Sequence, residues 1–171
     1  MTISAVAALT ASLCFAAATI WAGLMDLATM KIRNELVLFL LAIYATLAPL
    51  AGLGAVQIGM SAAVAIAVFM ALFIFFGFGW IGGGDAKLIS VIVLWLGAEH
   101  ALPYVVFMAL FGGVFCLLLI RFRSIPLPAF CAQVPWIVHL HSKEKGVPYG
   151  VAIAAAALFI FPKTPWITLL S

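Results

Sequence analysis

A chain of 171 residues that is 68% hydrophobic and 8% charged lies far outside the soluble range of roughly half apolar and a quarter charged, and this assigns it to lipid. Its net charge of +3 comes from eight Lys and Arg scattered in ones and twos, which excludes a basic face for nucleic acid. Cys14 and Cys116 fall in apolar runs and Cys131 in a loop, without CxxC or a Cys/His cluster. They read as buried structural thiols, and neither a metal site nor a cofactor is expected.

A helix needs about 20 apolar residues to cross the hydrocarbon. The first run, 4–25, lacks a basic n-region and exceeds the roughly 7–15 apolar residues of a signal peptide, so it is expected to be a retained first helix. Runs 36–54, 58–76 and 101–120 follow as spans. An Ala-rich run, 146–161, adds another that can continue past Pro162 toward residue 170. The piece 88–98 is too short to cross unless it extends backward through Trp80, Ile81, Gly82, Gly83, Gly84 and Asp85. The expected fold is all-α, a single polytopic membrane domain over 1–171 with about six helices. A glycine-rich loop opens helix four. Three glycines make a poor lipid-facing helix, and open backbone is tolerated at membrane depth only where protein buries it or water reaches it. A wet pocket is therefore expected around Asp85.

Basic residues choose the orientation. With six spans and the N-terminus outside, the inner loops hold Lys31, Arg33, Lys87, Arg121, Arg123, Lys143 and Lys145, seven of the eight, and only Lys163 lies outside. Both chain ends are thus expected outside the cytoplasm, with Asp26 and Asp85 on the cytoplasmic side. The inner loop 121–146 is expected along the lipid headgroups, with Trp136 as an interfacial anchor. His139 and His141, two apart, do not share a helix face and have no third ligand, so they receive no catalytic role. Phe73, Phe75, Phe76, Phe78 and Trp80 read as lipid-facing or interfacial packing.

The chain has only five acids. Glu35, Glu99 and Glu144 read as solvated loop charges. Asp26 and Asp85 abut strongly apolar helices, where an isolated carboxylate is expensive. Taken singly, Asp85 fits a helix N-cap and Asp26 an ion pair with Lys31 or Arg33. Taken together, at one membrane face, they make an acid–base device. Mutual repulsion keeps one protonated while the other is ionised. The anion takes a proton from the attacking water, and the acid bonds the developing oxyanion.

Gly82-Gly83-Gly84-Asp85-Ala86-Lys87-Leu88 resembles the GxGD signature of intramembrane aspartic proteases, in the form found in type IV prepilin peptidases. The segment Lys31-Ile32-Arg33-Asn34 after Asp26 is similar to that family's stretch ending in Ile-Pro-Asn, with Arg33 in place of the proline. Pro148-Tyr149-Gly150-Val151-Ala152-Ile153-Ala154 is similar to its Pro-Tyr-Gly-Pro-Ala-Ile-Ala stretch, with Val151 in place of the second proline. The resemblance implies that Asp26 and Asp85 are the catalytic pair. Gly82, Gly83, Gly84, Lys87 and Asn34 support the active-site loop, Gly82 and Gly84 letting it fold close to substrate, while the more ordinary role for Lys87 is to snorkel toward anionic headgroups. The implied substrate is a prepilin or pseudopilin whose short basic leader is cleaved at the cytoplasmic face of the inner membrane, before a hydrophobic helix. No large insert with paired CxxC separates helices one and two. The form therefore resembles the compact peptidases of tight-adherence (Flp) pilus systems, and N-methyltransferase activity is not expected. The rival reading from the residues alone is a small proton- or ion-coupled transporter using the two aspartates, which requires a polar path to the outer face where the helices offer mostly Ser and Thr.

Overall fold

The computed structural model describes residues 2–128, 131–142 and 146–169. Every regular element among them is helical. Thr2 caps α1 (Ile3–Thr29), its hydroxyl accepting from the Ala5 amide, and the helix closes at Met30, a non-glycine residue in the left-handed region with φ 53°. The Met30 amide donates to the Asp26 carbonyl at 2.8 Å, so Asp26 lies inside the last turn and not beyond it. After three intervening residues α2 (Asn34–Leu50) begins, followed by α3 (Ala55–Gly77), α4 (Gly83–Leu96) and α5 (Ala98–Ser124). After a 3-10 turn at Cys131–Gln133 come the short α6 (Pro135–His141), α7 (Gly150–Ile160), a 3-10 turn at Phe161–Lys163 and α8 (Pro165–Thr168).

Three of these helices, α1, α3 and α5, are long and apolar enough to cross a bilayer, and α2 and the stretch Gly150–Lys163 are shorter apolar helices. With α4, six helices make the bundle among the described residues. The boundaries differ from the sequence expectation in three ways. Helix α5 carries Arg121 and Arg123 in its last turn, so these two are helical and not in the loop. Helix α4 starts at Gly83, which makes Gly83, Gly84 and Asp85 its first turn and leaves the irregular stretch at 78–82. The final apolar run breaks at the 3-10 turn containing Pro162 and resumes as α8; residue 170 lies outside the described residues.

At 14 residues α4 is about 21 Å long, short of the roughly 30 Å hydrocarbon, and it is the core of the bundle. From Ala86 to Leu96 all but Lys87 and Leu94 are buried, against α2, α3, α5 and α7. Apolar surface gives little drive between helices in lipid, so close approach of small residues does much of the packing. Helix α1 turns Ala8, Ala11, Ala18, Ala22 and Gly23 inward onto α7, whose own inner face is Ala152, Ala154, Ala156 and Ala157. A Cβ on Gly23 would lie 3.1 Å from the Ala154 Cβ. Helix α3 is exposed along most of its length, and Phe73, Phe75, Phe76, Phe78 and Trp80 are all exposed, as expected from their clustering.

Large aromatics fill the half of the bundle away from the aspartates. Phe15 stacks on Phe161 with centroids 4.4 Å apart, and Trp95 lies 5.1 Å from Phe15, 5.5 Å from Tyr44 and 5.0 Å from Trp166. Both indoles are buried with their polar atom satisfied: Trp95 donates to the Leu40 carbonyl at 3.1 Å and Trp166 to the Trp95 carbonyl at 2.9 Å. This meets the usual condition for burying tryptophan.

Candidate active site

Asp26 comes from the last turn of α1 and Asp85 from the first turn of α4. Antiparallel packing carries these distant positions to one end of the bundle, where they line a single cleft of about 570 Å³ with Met30, Lys31, Ile32, Gly82, Gly83, Gly84, Gly146 and Val147. Its lining sets four glycines, two carboxylates and Lys31 beside the apolar Met30, Ile32 and Val147, a more polar wall than the rest of the interior. A cleft of this size with two convergent carboxylates is the kind of feature in which chemistry is done.

The two carboxyls are held differently. Asp26 is 5% exposed, and its Oδ2 accepts a 2.6 Å hydrogen bond from the Gly150 amide at the start of α7. The ion pair with Lys31 or Arg33 is not formed; Arg33 turns outward to Glu35, Nε to Oε2 2.7 Å, on an exposed surface. Asp85 is half-buried, and no hydrogen bond to its carboxyl is found among the described residues. The helix cap at this point is Gly82, which has no side chain to bond with, so Asp85 is the third residue of α4 and not its N-cap. Near a helix N-terminus its anion is still favoured by the unpaired amides of the first turn.

The three glycines of the loop face three different neighbours. A Cβ on Gly82 would stand 3.1 Å from Asp85 Oδ2, one on Gly83 3.2 Å from the Phe76 ring, and one on Gly84 3.2 Å from the Ile32 Cβ. Gly84 therefore lets the connection between α1 and α2 lie directly against the start of α4. A second link reinforces this, since Lys87 Nζ donates to Asn34 Oδ1 at 3.0 Å. Lys87 thus has a specific protein partner beyond the headgroup role. The two sequence segments, Lys31 to Asn34 and Gly82 to Lys87, form one docked unit.

Two contributors were absent from the sequence-derived site. Gly150 supplies the amide on Asp26, and the signal for it was the Tyr149-Gly150 pair at the mouth of an Ala-rich run. Arg123 donates from Nη2 to the Gly146 carbonyl at 2.9 Å and from Nε to the Leu140 carbonyl at 2.9 Å, tying the segment that borders the cleft to the end of α5. Its loop position in the sequence reading concealed this. Trp136, on α6, is partly exposed, and the His141 ring packs edge-on against Phe122 at 5.1 Å; neither His139 nor His141 lines the cleft. Glu99 sits in the first turn of α5 at the opposite end. Glu144, with Lys143 and Lys145, lies outside the described residues. The cysteines Cys14, Cys116 and Cys131 are unpaired and half-buried, more accessible than the buried thiols expected. Among the described residues no group of three or more His, Cys, Asp or Glu converges.

Residues 13–118, which carry both aspartates and the glycine loop, match the type IV leader peptidase family. No curated protein and no solved structure matches the chain.

Proposed function

The chain belongs to the type IV leader peptidase family, and from that premise we propose that it is an aspartic endopeptidase in which Asp26 and Asp85 activate water. The observation that carries this reading is that Asp26 and Asp85, the two acids not exposed among the described residues, line the same cleft. Two carboxylates facing one another across a confined space hold a single proton between them. Asp26, with one oxygen fixed by the Gly150 amide, suits the ionised role: the amide stabilises the anion and leaves Oδ1 to accept a proton from the attacking water. Asp85, bound by no protein group, is the partner that donates a hydrogen bond to the carbonyl oxygen as it becomes an oxyanion. Proton transfer from the pair to the leaving nitrogen then completes hydrolysis, with no metal or cofactor required.

The substrate we propose is a prepilin or pseudopilin of the tight-adherence (Flp) type, cut between its short leader and its hydrophobic helix. A cleft at the end of the bundle suits such a junction, since the helix can stay in lipid while the scissile bond reaches the carboxylates. The basic-residue count supports an inner-membrane protein with its N-terminus outside and this cleft facing the cytoplasm, where anionic lipid orients a basic leader despite Lys31 in the cleft wall. Peptidase activity without N-methylation fits the short connection between α1 and α2. The ion-path alternative has little support: its route to the far face would run through Phe15, Tyr44, Trp95, Phe161 and Trp166, which are buried against one another.

Co-expression with a prepilin-type substrate tests the proposal by leader removal. Wild-type protein is expected to process it, and Asp26→Ala and Asp85→Ala are each expected to leave it uncut at equal protein level. Complete processing by either variant would end the two-aspartate mechanism.

A further inference from the structure

Asp26 is oriented by an amide on α7, and the start of α7 is itself seated on α5. A Cβ at Gly150 would stand 2.7 Å from the Asp26 Cβ and 2.8 Å from Oδ2, so only glycine lets this backbone come close enough to donate. The preceding residue, Tyr149, reaches the other way. Its hydroxyl donates to the Met108 carbonyl of α5 at 3.3 Å, and its ring occupies the notch left by the missing side chain of Gly112. A Cβ there would lie 2.5 Å from ring carbons of Tyr149, a separation that real side chains do not tolerate. Gly112 is buried in the middle of α5, and unlike its neighbour Gly113, whose Cβ would meet nothing within 4 Å, it has its missing side chain replaced by the tyrosine ring. Upstream, Arg123 fixes the Gly146 carbonyl. The segment from 146 to 150 is therefore pinned at its first residue and at its tyrosine before it presents its amide.

We infer that the Gly112 notch and Tyr149 form a positioning device that aims the Gly150 amide at Asp26 and so fixes which carboxylate oxygen faces the cleft. Tyr149 and Gly112 do not touch the reacting atoms. They act through Gly150. A carboxyl has two torsions free to turn, and an unanchored α7 start would let Asp26 rotate out of reach of its partner. Misplacement by about 1 Å costs on the order of 10²-fold in rate. The inference rests on Asp26 being a reacting carboxylate. Tyr149 and Gly150 lie outside the stretch that matches the family.

The test is steady-state cleavage of a prepilin-type substrate by full-length protein in lipid bicelles. Gly112→Ala is expected to lower kcat by about 10- to 100-fold while KM stays within about twofold, since it displaces the ring and not the substrate. Tyr149→Ala should do the same, and Tyr149→Phe, which keeps the ring in its notch, should stay within about threefold of wild type because the 3.3 Å hydrogen bond is a weak one. The decisive comparison is the double variant. The three nearest atoms to a Gly112 Cβ all belong to Tyr149, so with the ring gone Gly112→Ala/Tyr149→Ala should cleave as fast as Tyr149→Ala alone. Additive losses, or a rise in KM at unchanged kcat, would overturn the inference. The double variant against Tyr149→Ala remains informative if Gly112→Ala alone does not accumulate. Asp26→Ala separates the two levels of argument. If it is inactive while Gly112→Ala keeps wild-type kcat, only the positioning device fails; if it retains cleavage, the reading of Asp26 fails and takes this inference with it.

Discussion

The two ends of this bundle are built from opposite materials. At one, Phe15, Tyr44, Trp95, Phe161 and Trp166 meet face and edge, with both indole nitrogens bonded to helix carbonyls. At the other, Gly82 and Gly150 bring bare backbone up to Asp85 and Asp26, and Gly83 and Gly84 line the same cleft. Helix α4 runs from one to the other within 14 residues. The contrast teaches how a small membrane protein can hold charged groups without losing its fold: dispersion and aromatic packing concentrate where no chemistry occurs, and that rigid end positions a polar end that could not hold itself together. A site of glycine and carboxylate, with only Met30, Ile32 and Val147 as apolar walls, has little packing of its own, so its geometry is borrowed.

This division can be broken first at the polar end. Asp26→Asn and Asp85→Asn are isosteric, and each is expected to reduce cleavage by at least about 10²- to 10⁴-fold, the range for removing an acid–base group, with unchanged thermal stability in detergent. The two losses should not multiply in the double variant, because the residues act as a unit. At the aromatic end, Trp95→Ala should behave in the opposite way. It removes a buried ring touching three others and the indole's bond to the Leu40 carbonyl of α2, with an expected loss of about 3–5 kcal/mol in stability. Its cleavage rate, measured well below the unfolding temperature, should fall far less than that of the aspartate variants. A variant folded as well as wild type would show that the aromatic cluster does not carry the fold.

Gly84→Val probes the seam between the two. A Cβ already meets Ile32 at 3.2 Å, and two further methyls overpack the contact at a cost of about 1–3 kcal/mol. Cleavage should drop with the docking of the α1–α2 connection, and limited proteolysis between α1 and α2 should accelerate. Unchanged proteolysis together with normal cleavage would remove Gly84 from the supporting structure. The smallest effect is expected from Tyr104→Phe. The Tyr104 hydroxyl is fully buried without a hydrogen-bond partner among the described residues. Deleting an unsatisfied polar group is neutral or gains up to about 1 kcal/mol, readable as an unchanged or slightly raised Tm. A clear loss would mean that this hydroxyl serves the site.

Much of the architecture was legible from the residues because a bilayer imposes a length on apolar runs and forbids unpaired backbone within them. Runs such as 4–25 and 58–76 could only be helices, and the break at Gly82 to Gly84 could only lie beside protein or water. The boundaries were less legible. Asp26 sat at the end of an apolar run, and nothing local said that the helix would continue to Thr29 and close on Met30 in a left-handed turn. Arg121 and Arg123 looked like loop residues because charge ends an apolar run, whereas a helix leaving the membrane has no reason to stop at the interface.

For the site, the sequence by itself determined which two acids were expensive enough to need a purpose, since an isolated carboxylate beside an apolar helix is costly in any fold. It also determined that the residues around Asp85 had to be small. Tertiary structure alone decided that Asp26 faces α7 and not Lys31 or Arg33, that Lys87 bonds Asn34, and that Gly150 and Gly112 matter at all. The Lys87 bond depends on how the start of α4 docks on the start of α2, and the others on how α7 lies between α1 and α5. A glycine in a chain announces freedom, but what occupies the space it leaves is settled only when a second helix arrives to fill it.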